Sequence, residues 1–497
     1  MKLKRLAYHP VAILILLLIT ASCATPNGIS DNIQKPAISF DSCQLSAPGT
    51  STRLEAECGD LMVYENRAAG AGRTIELHIA VIPAVSRNPE PDPIFFIPGG
   101  PGEAATQSYI SLAGVFERLN QKRDIVLVDQ RGTGKSNPLH CKASDTGLET
   151  SPVDERTQLQ TELAGCLESL DSDPRFYTTA IAMDDLDQVR EALGYEQINL
   201  YGASYGTRAA LVYLRQYPQH VRTLILDGLV PPDWTLGPAV AADAQRSIEM
   251  IIERCESDPG CNAEFPNLKQ SFQSLITRLD RAPVEVELDH PIDGEPTRLV
   301  LTKQIFANTI HFMSYTPEIT SLIPLMVQAA YERDDFQPIA AQYLSSTALV
   351  AESISAGMRF SVICAEDVPF YDDESASDGY LGDFIVETFR AACESWPRGE
   401  IPANFKEAVN SEIPALLISG EADPVTPPSN GAQAAEHLPN SLHLVAPGMG
   451  HINLFRGCIH RLAFDFIEAG SAEGLDTSCV EAIDPMPFFT NFNGPQP

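Results

Sequence analysis

The chain has 497 residues, 44% hydrophobic and 20% charged, enough to bury a large core and too apolar for a disordered chain. Its 34 Lys and Arg stand against 66 Asp and Glu, a formal charge of −32, which argues against nucleic acid as a partner and against docking on anionic lipid, because both need clustered basic side chains. Eleven cysteines are an odd number, so one thiol has a fate different from the rest.

Residues 1–22 carry Lys2, Lys4 and Arg5, then the apolar run from Val11 to Ile19, then Ala21 and Ser22 ahead of Cys23. A basic start, a short apolar run and small residues before a cut site predict an export signal, and the run is too short to span a bilayer. The segment Ile19-Thr20-Ala21-Ser22-Cys23 resembles a bacterial lipobox, although Thr20 stands where Leu is usual. That resemblance implies cleavage before Cys23 and a diacylglycerol on its thiol; Ala24 in place of Asp implies sorting to the outer membrane, facing the periplasm. Acyl chains contribute about 0.8 kcal/mol per buried CH₂, so such a chain is membrane-anchored through lipid rather than through a helix. Residues 23–37, with Pro26, Gly28 and Pro36, read as a tether.

Six short apolar runs bounded by Gly or Pro predict buried strands: Ile94 to Ile97, Ile125 to Val128, Ile198 to Tyr201, Leu224 to Leu226, Ala415 to Ile418 and Leu442 to Val445. Between them, Ala182, Leu186, Val189 and Leu193 share one helical face before the cap residue Gly194, and a second helix runs from Arg208 to Tyr217, stopped by Pro218. The alternation predicts an α/β fold with a mostly parallel sheet, its first part over 38–230 and its second over 359–497. Residues 231–358 break the pattern with helices and one hairpin turning near Asp293-Gly294, as a cap domain inserted into the sheet does. The run Phe360-Ser361-Val362-Ile363-Cys364 reads as a strand re-entering the main body. The acidic Tyr371-Asp372-Asp373-Glu374 reads as a solvated loop, since no His accompanies it.

The sharpest motif is Gly202-Ala203-Ser204-Tyr205-Gly206, a G-x-S-x-G between a predicted strand and a predicted helix. The glycines let strand and helix pass closely, so that the Ser204 hydroxyl stands exposed above the sheet as a nucleophile. A hydroxyl needs a base, and His451 follows the last predicted strand in a glycine-rich loop, where catalytic groups gather in α/β sheets. His220, His311 and His460 read as structural or surface histidines. The base needs an acid to hold its tautomer; Asp423, just past a predicted strand, is preferred to Asp227, one strand earlier. Two backbone N–H groups should bind the oxyanion: Tyr205 after the nucleophile, and Gly99 or Gly100 in Pro98-Gly99-Gly100-Pro101-Gly102, where Pro101 has no donor. No P-loop, dinucleotide fingerprint or zinc-type His/Cys spacing is present, so neither cofactor nor metal is expected.

Taken together these motifs resemble the serine aminopeptidase branch of the α/β-hydrolases, the proline iminopeptidases and tripeptidyl aminopeptidases. The branch's H-G-G-P-G loop is Pro98 to Gly102, with Pro98 in place of His; its D-Q-R-G-x-G-x-S motif is intact from Asp129 to Ser136; Asp423 sits in a G-x-x-D-P-V-T-P pattern. The resemblance runs over roughly residues 40–485. It implies an α/β-hydrolase fold with a helical cap and a serine hydrolase that cleaves residues or short peptides from a free N-terminus. It also implies carboxylates beneath the cap for the substrate ammonium, and Glu366, backed by Asp367, stands where the chain returns from the cap. Arg131 and Arg208 read as braces in ion pairs. With Cys23 set aside, ten cysteines remain. Their grouping suggests neighbours in order, Cys43 with Cys58, Cys141 with Cys166, Cys255 with Cys261, Cys364 with Cys393 and Cys458 with Cys479, which the resemblance supports most for the last two. A carboxylesterase on the same three residues, and an inactive binding lipoprotein, are the competing readings.

Overall fold

A strand buried on both faces can be apolar at every position, whereas a strand with one wet face alternates. The computed structural model, which describes residues 38–141, 155–372 and 379–495, contains both kinds. The expected export signal, Cys23 and the tether lie outside the described residues, as do Asp373 and Glu374 of the acidic loop.

The described chain opens with β1 (Asp41–Leu45), β2 (Leu54–Tyr64) and β3 (Thr74–Ile82), an antiparallel meander. Charged residues alternate with apolar ones through Asp60 in β2, and an apolar run appears only at its end, Leu61 to Tyr64. Strands and helices then alternate through β4 (Ile94–Ile97), α1 (Ala105–Asn120), β5 (Ile125–Val128), α2 (Glu155–Ser169), α3 (Thr179–Leu193), β6 (Ile198–Ala203), α4 (Tyr205–Gln216) and β7 (Val221–Asp227). Gly194 caps α3 at φ 83°, a left-handed conformation open to glycine at no steric cost.

A helical excursion follows: α5 (Val240–Ser257), α6 (Pro259–Glu264), α7 (Leu268–Arg281), the hairpin of β8 (Val284–Asp289) and β9 (Pro296–Leu301), α8 (Lys303–Met313), α9 (Pro317–Thr320), α10 (Ile323–Arg333) and α11 (Gln337–Ser353). Ile248, Ile252, Leu275, Phe306, Ile310 and Met326 belong to one apolar cluster of this excursion. After α12 (Ala356–Glu366) and α13 (Phe384–Cys393) the sheet resumes with β10 (Ala415–Gly420), α14 (Pro428–Ala435), β11 (Ser441–Ala446) and α15 (Ile459–Ala469).

The described strands other than β8 and β9 form one sheet in the order β1-β2-β3-β5-β4-β6-β7-β10-β11, parallel from β5 to β11. This is the α/β-hydrolase fold. The six runs read as buried strands are its parallel block; five are buried along their runs, as strands covered by helices on both faces are, whereas the edge strand β11 is only partly buried and leaves Val445 exposed. Val126, Val128 and Leu200 face α3 and α4, whereas Ile125, Leu127 and Tyr201 face α1 and α15.

One expectation is overturned. Residues 360–364, read as a strand, are the middle of helix α12. Ser361 to Glu366 are buried without a break, and a short helix enclosed on all sides loses the periodicity that separates it from a strand. α12 docks through Gly357, whose N–H donates to the Leu139 carbonyl at 3.0 Å and whose place admits no Cβ. Five disulfides staple the fold between cysteines adjacent in order: Cys43–Cys58, Cys141–Cys166, Cys255–Cys261, Cys364–Cys393 and Cys458–Cys479. Among the described residues no helix is long and apolar enough to cross a membrane.

Candidate active site

The turn from β6 into α4 presents Ser204. Its φ of 54° and ψ of −123° lie where a side chain is rarely tolerated, and the crossing around it explains how the turn is held. A Cβ on Gly202 would strike the Gly206 backbone, and one on Gly206 would strike the Ile97 carbonyl, so only glycines permit this passage. The Ser204 N–H donates to the Asp227 carbonyl at 2.8 Å, and its carbonyl accepts the Thr207 hydroxyl at 2.7 Å. Ala203 and Tyr205 are buried while Ser204 remains partly exposed.

His451 sits in the loop after β11. Its N–H donates to the Tyr315 carbonyl at 2.7 Å, and the Tyr315 ring stands edge-on to the imidazole at 5.2 Å. Nδ1 lies 2.8 Å from Asp423 Oδ2 and 3.0 Å from the Thr426 hydroxyl, which directs Nε2 away from the carboxylate. Asp423 is fully buried and accepts from the Val425 and Thr426 N–H groups and from the Thr426 hydroxyl. Burial acts to raise its pKa, but the imidazole and these donors hold it below the ordinary carboxylate value. For His451 burial acts downward, and the Asp423 charge and hydrogen bond, with Asp227 and Glu103, carry it above the ordinary 6.5. Asp227, the second candidate acid, accepts instead from the Asn453 and Leu454 N–H groups at 2.8 to 2.9 Å and so anchors the histidine loop. Burial pushes it up to about 6. Gly228, next to Asp227, brings its Cα against the His451 ring, so the strand that holds Ser204 through residue 227 also seats His451.

Of the two glycine candidates for the oxyanion, Gly99 lies against Ser204: a Cβ there would sit 3.0 Å from Ser204 Cβ. Gly100, at φ 106°, faces the Gly102 and Glu103 N–H groups of its own turn. Tyr205 is the first residue of α4, where the helix supplies no partner for the backbone N–H. Asp129 steadies this rim by accepting from Thr106 at the start of α1 and from the Lys135 N–H.

Glu366 and Asp367 are brought near α4, yet both are enclosed and occupied by protein partners. Glu366 accepts from the Thr179 N–H at 2.7 Å and its hydroxyl at 2.8 Å, and burial raises its carboxyl to about 7 against Arg208 and Thr179. Asp367 forms a two-pronged pair with Arg208 at 2.9 and 3.0 Å and accepts the Leu236 N–H. Arg131 pairs likewise with Asp185. Glu103 is a different carboxylate that no motif marks; the only sequence signal is an acid directly after the Pro/Gly loop. It is partly exposed and holds the Ser108 hydroxyl at 2.9 Å. Burial raises its pKa against Ser108, His451 and the Gly99 backbone.

Comparison with known proteins agrees with this architecture. Residues 92–248 match the family model described as alpha/beta hydrolase fold, and residues 379–479 match that of the TAP-like proteins. The tripeptidyl aminopeptidase of Streptomyces lividans is 30% identical over 475 residues, covering 87% of this chain and 85% of that one. The serine protease Hip1 of Mycobacterium tuberculosis is 24% identical over 89% of this chain and 91% of its own. The proline iminopeptidase of Neisseria gonorrhoeae is 28% identical over 144 residues, 29% of this chain and 34% of its own.

Proposed function

This chain belongs to the TAP-like family of α/β-hydrolases and is a serine peptidase, and on that footing we propose that it hydrolyses peptides from a free N-terminus through an acyl-enzyme on Ser204. The observation that carries the reading is the buried Asp423–His451 pair, with Nδ1 engaged at 2.8 Å and the base seated beside the strand end that holds Ser204. The name of the Streptomyces relative supports the N-terminal direction of cleavage.

In this mechanism the Ser204 Oγ attacks the scissile carbonyl carbon as His451 Nε2 takes the hydroxyl proton. The oxyanion forms against the Gly99 and Tyr205 N–H groups, at the positive end of α4. Collapse breaks the C–N bond, and the imidazolium gives its proton to the leaving amine. Water then attacks the acyl ester with His451 again as base, which releases the N-terminal acid and restores the serine. Asp423 holds the imidazole tautomer and stabilises its charged form throughout.

A panel of anilides tests the proposal: free-amine aminoacyl and tripeptidyl anilides, their N-blocked forms, and short-chain esters. Turnover confined to free-amine anilides is expected. Turnover confined to esters would instead select a carboxylesterase, and no turnover at all an inactive binding protein.

The five disulfides are those of an exported protein in an oxidising compartment. We extend the proposal to a lipid anchor at Cys23, supported by the residues that resemble a lipobox. Cys23→Ser should move the protein from the membrane fraction to the soluble one, and a variant that stays membrane-bound rejects the anchor.

A further inference from the structure

We infer that Glu103 is the acceptor for the α-ammonium group of the substrate's N-terminal residue, so that this enzyme selects single aminoacyl groups at Ser204. The inference rests on the aminopeptidase reading above and assigns its specificity. The carboxylates that the family resemblance offers for this task, Glu366 and Asp367, are closed off by Thr179, Arg208 and the Leu236 N–H. An ammonium ion would have to displace the Thr179 N–H and hydroxyl from Glu366, or the buried Arg208 guanidinium from Asp367.

Glu103 is placed for the role by its loop. Its N–H approaches the Gly99 carbonyl at 3.5 Å, so the loop folds residue 103 back over the glycine that abuts Ser204. Its backbone also bridges to Ile354, at the end of α11, which pins the loop from the other side. Ser108, one turn into α1, fixes the carboxylate through Oε2. No Lys or Arg pairs with it among the described residues; the titrating group that faces it is His451. Gly102 and Ala104 on either side are buried, while Glu103 keeps access to solvent. A carboxylate held in a crowded site facing His451, with no Lys or Arg pairing with it among the described residues, gains a charge partner when an ammonium group arrives.

Reach decides how many residues are released. The carbonyl under attack lies on Ser204 Oγ, and the amine of a one-residue acyl group is two bonds from that carbon. In a tripeptidyl group the amine lies about 7 Å further along an extended chain. A carboxylate on the loop that touches Ser204 suits the first distance.

The test uses the full-length enzyme and its Glu103→Gln and Glu103→Asp variants, each checked for an unchanged melting curve. For Glu103→Gln, KM on free-amine aminoacyl anilides should rise at least about tenfold, as loss of a charge-assisted bond does. N-acetyl aminoacyl anilides and p-nitrophenyl acetate should change by a much smaller factor, and Glu103→Asp should retain a preference for the free amine. Inhibition of ester hydrolysis by aminoacyl amides should weaken in parallel in Glu103→Gln, a reading of binding without peptide cleavage. Equal changes on free and blocked substrates, or a larger effect on tripeptidyl than on aminoacyl anilides, would overturn the assignment. A wild-type enzyme that does not distinguish free from blocked amines would defeat the aminopeptidase reading itself. A free-amine preference that survives in Glu103→Gln would remove Glu103 alone.

Discussion

Ser204→Ala should lower kcat/KM by at least about three orders of magnitude, whatever acyl substrate is used, and leave the fold intact. The loss is large because, in the proposed mechanism, the serine oxygen is itself the atom that forms the acyl bond, and its removal leaves only water to attack. The fold survives because Ser204 binds its neighbours through its backbone, to Asp227 and Thr207, and no hydrogen bond of its hydroxyl to the protein is present among the described residues. Deleting the hydroxyl therefore strands no buried partner, and the melting temperature should stay within about 2 °C. Steady-state kinetics with active-site titration checks the first half and calorimetry the second. Residual activity above a few per cent of wild type would mean that another residue is the nucleophile.

Asp423→Asn should lower kcat by about three to four orders of magnitude and move the acid limb of the pH profile. The base must be neutral to accept the serine proton, so activity falls as pH drops through the pKa of His451. In the wild type that pKa is held above 6.5, chiefly by the Asp423 charge working against burial, and the limb of kcat/KM should have its midpoint above 6.5. Removing the charge leaves burial as the larger influence, and the midpoint should shift to lower pH. The plateau should collapse as well, because an amide at position 423 can donate to Nδ1 and so favours the wrong tautomer. Asn would also still meet the Val425 and Thr426 N–H groups, which need an acceptor. A limb that stays in place would separate Asp423 from the base despite the 2.8 Å contact.

Much of this molecule is legible one segment at a time. The six parallel strands announce themselves because burial leaves few polar positions in their runs, Asn199 in β6 and His443 in the partly exposed edge strand β11 being the exceptions. The hairpin near Asp293-Gly294 and the cap at Gly194 follow from the few residues that tolerate a left-handed backbone, with φ 76° and 83°. The nucleophile turn is equally local, since Gly202, Ser204 and Gly206 must all lie within one crossing of strand and helix. The antiparallel β1 to β3 are less visible, because charged or polar residues interrupt β2 through Asp60 and β3 through His78, which leaves apolar runs only at their ends. α12 reads as a strand for the opposite reason, since its second half is buried without a break and it is too short for its period to show.

The carboxylates divide the two kinds of information most clearly. The sequence by itself determined that Asp227 and Asp423 each follow an apolar strand run, that Glu366 and Asp367 follow the excursion, and that Glu103 follows the Pro/Gly loop. Tertiary structure alone decided what each one does. Asp423 meets His451, 28 positions away, whereas Asp227 meets Asn453, 226 positions away. Glu366 is closed by Thr179 and Asp367 by Arg208, at separations of 187 and 159. Glu103 is left with a hydroxyl and no cation. A carboxylate's chemistry is set by burial and by the donors around it, and here those donors come from chain segments that only the packed sheet and its helices bring together.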